Sequence, residues 1–225
     1  MREIIFDTET TGFEPNDGHR IVEIGCIETV DKAPTGRTYH QYINPERSMP
    51  AGAFEVHGLS EKFLKDFPVF ADVAQAFVDF VGDDSLLVAH NATFDLRFIN
   101  AELGWVGLPG YEMDRVVDTL AIAKKKFPGS PASLDALCRR FNVDNSDRAL
   151  HGALLDARLL AGVYYNLTRE GQKGLDLNAQ GSAADRAAGR TFRPARSFQI
   201  PEGDLAHHQS FIQENIDDPL WSREG

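Results

Sequence analysis

The sequence predicts an α/β fold: a mixed five-stranded sheet flanked by helices, with a flexible carboxy-terminal tail that carries one short helix. Three features point to it. Three strand-like runs lie between Ile4 and Ile43 with only short links between them, which suits antiparallel neighbours. Two further short apolar runs then alternate with stretches whose apolar residues recur at helical spacing, as in parallel strands joined through helices. Past about Thr168 this periodicity stops.

The first predicted strand is Ile4-Ile5-Phe6-Asp7-Thr8-Glu9-Thr10, whose apolar start suits a strand buried on both faces. After the turn between Gly12 and Gly18, Arg20 to Val30 is a second strand, and Thr38 to Ile43 a third, linked through Asp31 to Gly36 as a hairpin. Asn44 to Pro50 is a loop, and Ser60 starts a short polar helix. Val73, Phe77, Phe80 and Val81 predict an amphipathic helix from Pro68 that ends at Gly82. Leu86 to Ala89 is a short central strand, and it runs through His90-Asn91-Ala92-Thr93-Phe94-Asp95 into a helix ending near Gly104. Met113 to Val117 is the fifth strand, followed by a helix from Thr119 to Phe127. After the break at Pro128-Gly129-Ser130-Pro131, Ser133 caps another helix through Phe141, and Ala153 to Thr168 forms the last helix of the domain. Three hairpin-like strands followed by two parallel ones, with acids at the ends of strands one and four, describe a ribonuclease H-like fold.

At 225 residues the chain is long enough for one substantial core plus a tail. With 42% hydrophobic and 25% charged residues it reads as globular. The amino terminus enters the first strand at once, leaving no signal peptide, and no apolar run reaches the length of a membrane span. Cys26 and Cys138 match no zinc spacing, so a reducing cytoplasm is expected. The net charge of −11 argues against a protein that grips duplex nucleic acid by its own field, although cations held by several acids would invert the charge at one site.

The acids carry the functional argument. Asp7 and Glu9, two apart on a strand, project to the same side, where two anions repel unless a cation lies between them. Asp95 and Asp156 each fall in the first turns of a helix. The helix dipole explains that placement, but not their leucine- and phenylalanine-rich surroundings, which set both toward the buried side. His151 and Asp156 would diverge by about 140° on one helix. They can face one site if His151 lies in the loop before it, where Gly152 frees the backbone. Oxygen ligands favour two Mg²⁺ or Mn²⁺ ions over zinc. Such a pair can clamp the attacking and leaving oxygens of a phosphoryl displacement, while a histidine takes the proton of the attacking water.

The segments Asp7-Thr8-Glu9-Thr10-Thr11-Gly12, His90 to Asp95 and His151-Gly152-Ala153-Leu154-Leu155-Asp156-Ala157 resemble the three motifs of the DEDDh 3′-to-5′ exonucleases. The similarity extends from Met1 to about Thr168 and takes in Val56-His57-Gly58-Leu59 and Ser133 to Cys138. The resemblance implies that Asp7, Glu9 and Asp156 bind the metal ions and contact substrate, and that Asp95 completes the second ion's shell. It makes His151 the general base, sets His57 against the terminal nucleotide, and makes Phe94 or Phe13 an apolar wall for its base. Relatives often carry an acid five positions before the motif histidine; this chain has Gly52 there, so the resemblance does not carry over that contact to the 3′-hydroxyl.

The resemblance reaches the tail. Residues 171–203 read as a linker between an exonuclease domain over 1–170 and a tail over 204–225. Gln172, Leu175 and Leu177 are spaced as in peptides that dock on the bacterial sliding clamp. Leu205, Phe211, Ile212, Ile216 and Trp221 resemble the tail by which proofreading members of the family bind a replicative polymerase. Tethering of that kind supplies the DNA affinity that an acidic protein lacks. The expected activity is removal of mispaired nucleotides from single-stranded or frayed DNA 3′ ends. The alternatives are an RNA-trimming relative with the same site, and a non-catalytic tether between polymerase and clamp.

Overall fold

The computed structural model describes residues 1–146, 150–169 and 201–216. The chain divides into two units, Met1–Gln172 and Lys173–Gly225. The first holds β1 (Arg2–Thr10), β2 (Ile21–Val30), β3 (Ala33–Tyr42), α1 (Ala51–His57), α2 (Glu61–Leu64), α3 (Phe70–Val81), β4 (Leu86–Ala89), α4 (Ala92–Trp105), β5 (Val116–Asp118), α5 (Thr119–Lys126), α6 (Leu134–Phe141) and α7 (Ala153–Thr168). The five strands form one sheet in the order β3-β2-β1-β4-β5. The pairs β1–β2 and β2–β3 are antiparallel, whereas β1–β4 and β4–β5 are parallel.

β1 lies in the middle of the sheet, which is why its apolar run is continuous. Ile4 and Phe6 face a core shared with Phe77 of α3 and Phe98 of α4, while Ile5 faces one shared with Leu137 of α6 and Leu160 of α7. Parallel pairing of β1 with β4 brings the ends of both strands to one edge of the sheet, where β4 runs into α4. The predicted ribonuclease H-like architecture is observed, with three differences in its elements.

β3 begins at Ala33 rather than Thr38. Asp31 and Lys32 both adopt positive φ, 50° and 67°, and close a two-residue hairpin, so pairing resumes at once with Val30 opposite Ala33. Neither is the glycine that usually marks such a turn, and Pro34 is tolerated because β3 is an edge strand. The fifth strand is Val116–Asp118, preceded by a 3-10 turn over Met113–Arg115, because β4 offers it only the three partners Leu87, Val88 and Ala89. The segment Ala51–His57 forms α1, which no side-chain cap or apolar stripe announced; it stops at Gly58, whose φ is 72°. Ser60 and Ser133 cap α2 and α6 as expected.

In the second unit, α8 spans Glu202–Asn215, close to the predicted tail helix, and Leu205, Phe211 and Ile216 are exposed while Ile212 is half-buried. Gln172, Leu175, Leu177 and Trp221 lie outside the described residues. Among the described residues no helix is long and apolar enough to cross a membrane.

Candidate active site

β1 delivers Asp7 and Glu9 to the face covered by α7, and Thr8, pointing the other way, reaches α4. The Thr8 amide and hydroxyl both donate to Asp95 Oδ1, at 3.1 and 2.7 Å. That leaves Oδ2 as the atom Asp95 can offer a ligand. Asn91, at φ 67°, makes the sharp entry into α4 that sets Asp95 in the first turn. Burial pushes the Asp95 carboxyl up to about 7, against the pull of the Thr8 hydrogen bonds. A divalent cation beside it would favour the ionised form.

Asp156 arrives on α7 and is buried. Its helix can lie close to the sheet because β2 has Gly25 beneath it: a Cβ there would stand 2.1 Å from the Leu154 nitrogen. His151 lies in the loop before α7, half-exposed, with Nδ1 3.4 Å from Asp156 Oδ2. The loop is tied down from α1, since the His151 amide donates to the Val56 carbonyl at 3.1 Å and Leu150 packs over Gly58.

Asp7, Glu9, Asp95, His151 and Asp156, drawn from β1, α4, α7 and the loop before it, thus line one cleft of about 580 Å³. Ligand atoms of Glu9, His151 and Asp156 all lie within 4.8 Å of one another, close enough to share one ion. With Asp7 and Asp95 on the same cleft, this mostly carboxylate donor set suits Mg²⁺ or Mn²⁺.

A second cavity of about 460 Å³ adjoins the first, with Thr8, Glu9 and Phe94 lining both. His57 lines it, and so do Phe13, 84% exposed, and Gly52, where a Cβ would meet nothing within 4 Å. His57 Nδ1 accepts the Leu59 amide at 3.0 Å, so the proton of the neutral ring sits on Nε2. Nε2 is buried and has no hydrogen-bond partner among the described residues. Burial holds this imidazole below the usual histidine range, with the charge of Glu23 pulling the other way. A neutral, unpartnered N–H donor on a residue that lines a cavity suits an acceptor on a bound molecule.

Sequence reasoning passed over Thr8, Gly25 and Lys124, which also lines the larger cleft. Strand alternation places Thr8 opposite to its neighbours, and a glycine inside an apolar strand signals a close approach by other backbone. Lys124 carried no such signal.

The comparisons agree with this geometry. A family model described as exonuclease (RNase_T) matches residues 4–164. The DNA polymerase III subunit epsilon of Rickettsia felis is 46% identical over 220 residues, covering 94% of this chain and 96% of its own. Exonuclease X in complex with 5′-overhanging duplex DNA has a TM-score of 0.58 at 25% identity, covering 81% of this chain and 95% of its own. The nuclease domain of 3′hExo, a DEDDh family member bound to rAMP, has a TM-score of 0.64 at 18% identity, covering 76% and 92%, and shares the fold. A cleft that gathers Asp7, Glu9, Asp95, His151 and Asp156, a matching exonuclease model and similarity along nearly the whole length place this chain in the exonuclease family, among the epsilon subunits of DNA polymerase III.

Proposed function

We propose that the chain removes mispaired nucleotides one at a time from DNA 3′ ends, by metal-dependent hydrolysis of the terminal phosphodiester, as the proofreading subunit of DNA polymerase III in the bacterial cytoplasm. The observation that carries this is the convergence of Asp7, Glu9, Asp95, Asp156 and His151 on one cleft. Asp7, Glu9 and Asp156 would hold two Mg²⁺ or Mn²⁺ ions, and Asp95 would complete the second ion's surroundings through Oδ2. Bound there, the ions supply charge neutralisation for the attacking and leaving oxygens of an in-line displacement.

The protein's own groups do the rest. His57 Nε2–H and the Phe94 and Phe13 rings hold the terminal nucleotide in the smaller cavity, which sets its 5′-phosphate at the acids. His151, half-exposed at the rim, takes a proton from the attacking water as the phosphorus–O3′ bond breaks. Asp156 orients that imidazole and stabilises its charged form. The leaving 3′-oxygen takes its proton from solvent. Selectivity for mismatches comes from fraying, because only a melted end reaches the cavity. The absence of an acid at Gly52 leaves the 3′-hydroxyl to other groups. The exposed apolar residues Leu205 and Phe211 of α8 and Ile216 just after it, with Ile212 and Trp221, would bind the DNA polymerase III alpha subunit. Gln172, Leu175 and Leu177 would engage the sliding clamp (beta subunit).

The decisive experiment is a Mn²⁺ titration of the wild type and His151→Ala, read by bound metal and by hydrolysis of single-stranded DNA. The base role predicts a lower rate with metal binding nearly unchanged. A second reading, that His151 is itself a ligand, is favoured by its place in the close triple with Glu9 and Asp156. Loss of bound metal in the variant would select it.

A further inference from the structure

The active-site cleft is larger than the acids need. From Phe94 and Asp95 its lining continues past His90 to Lys124 of α5 and to Ser133 at the start of α6. The cavity lined by His57 adjoins the acids through Thr8, Glu9 and Phe94. A strand whose terminal nucleotide fills that smaller cavity must lead its remaining nucleotides away from the acids, and the remainder of the large cleft is the open space next to them. Each backbone phosphate entering that space approaches a carboxylate-lined surface and needs a cation.

Among the described residues, Lys124 is the only lysine or arginine lining the cleft. It makes no hydrogen bond or ion pair there, whereas the ammonium of Lys126 donates to the Leu167 carbonyl at 2.8 Å and Arg140 lies over the Phe127 ring. Asp135, the further acid on that side, accepts from Asn145 Nδ2 at 3.1 Å. The neighbouring imidazole of His90 has its Nδ1 2.9 Å from the Thr119 hydroxyl, and burial disfavours its charged form.

We propose that Lys124 forms a second substrate subsite, binding a backbone phosphate of single-stranded DNA on the 5′ side of the bond being cut. The subsite rests on the exonuclease reaction proposed above. It makes the enzyme favour oligonucleotides over mononucleotide esters, and it gives an acidic protein a local, salt-sensitive hold on the strand.

Two substrates test it: a short single-stranded oligodeoxynucleotide, and the nitrophenyl ester of thymidine 5′-monophosphate, which fills the terminal site and carries no upstream phosphate. Lys124→Ala should raise KM for the oligonucleotide about five- to tenfold with kcat held, and flatten the slope of log KM against log salt by about 0.7. Its turnover of the ester should match the wild type, Lys124→Arg should restore most of the oligonucleotide KM, and Lys125→Ala, which lies outside the cleft lining, should change neither substrate. An unchanged oligonucleotide KM and salt slope in Lys124→Ala would overturn the subsite, and so would equal losses on both substrates, which indicate a structural role. A wild type that hydrolyses neither substrate with Mn²⁺ would instead bring down the exonuclease reading, and the subsite with it.

Discussion

Gly25 is the position at which one added methyl group should disable the site without unfolding the protein. It sits opposite Asp7 in the β1–β2 ladder, and a Cβ there would lie 2.1 Å from Leu154 N, 2.3 Å from Ala153 C and 2.4 Å from Leu154 Cα. Ordinary contact begins at 3.4 Å, so the helix must retreat by about 1.3 Å (3.4 − 2.1). The clashing atoms are backbone, so no rotamer change relieves them, and β2 is held by pairing on both sides. What gives is the first turn of α7, which carries Asp156 and follows the His151 loop. A misplacement of about 1 Å costs on the order of a hundredfold in rate, and overpacking costs about 1–3 kcal/mol, or roughly 2–12 °C of melting temperature for a protein of this size. Steady-state kcat, Mn²⁺ affinity and a thermal melt should be measured on Gly25→Ala beside Gly104→Ala, where a Cβ meets nothing within 4 Å. A folded Gly25→Ala with kcat and Mn²⁺ affinity within about twofold of the wild type would refute the claim that this glycine sets the position of α7.

Asp7→Ala should abolish turnover and leave the metal-free melting temperature equal or higher, since it relieves repulsion among the clustered acids. At a Mn²⁺ concentration of about 100 Kd the wild type should gain about 2.7 kcal/mol that the variant lacks; melts with chelator and with Mn²⁺ check both points. Burial holds His57 and His90 below the usual histidine range, so as pH falls the unfolded chain takes up the proton first. Their contribution to stability is therefore whole above the unfolded value of about 6.5 and declines below it. In urea melts with chelator at a series of pH values, His90→Gln should flatten that decline, and an unchanged slope would count against it. Truncation after Thr168 should spare hydrolysis of free oligonucleotides and end co-purification with the polymerase, and retained binding would show that the tail is not the attachment.

The position of β1 was legible because an unbroken apolar run fits only a strand covered on both faces, and acids at its end have no place in a core. Asp95 and Asp156 stood out for the same reason, as charges set among leucine and phenylalanine. Other features left weaker traces. The hairpin at Asp31-Lys32 adopts positive φ without a glycine, and α1 has neither a side-chain cap nor an apolar stripe, so local rules missed the start of one and the whole of the other.

The sequence by itself determined which residues are acidic, which segments alternate or repeat at helical spacing, and that His151 had to precede its helix to share a site with Asp156. All of that follows from local geometry. Only the tertiary structure decided that Thr8 holds Asp95, that Gly25 admits α7, and that Lys124 faces the same cleft. Each of those joins segments far apart in the chain, and the distance between them is set by how the two cores pack against the sheet rather than by any neighbouring residue.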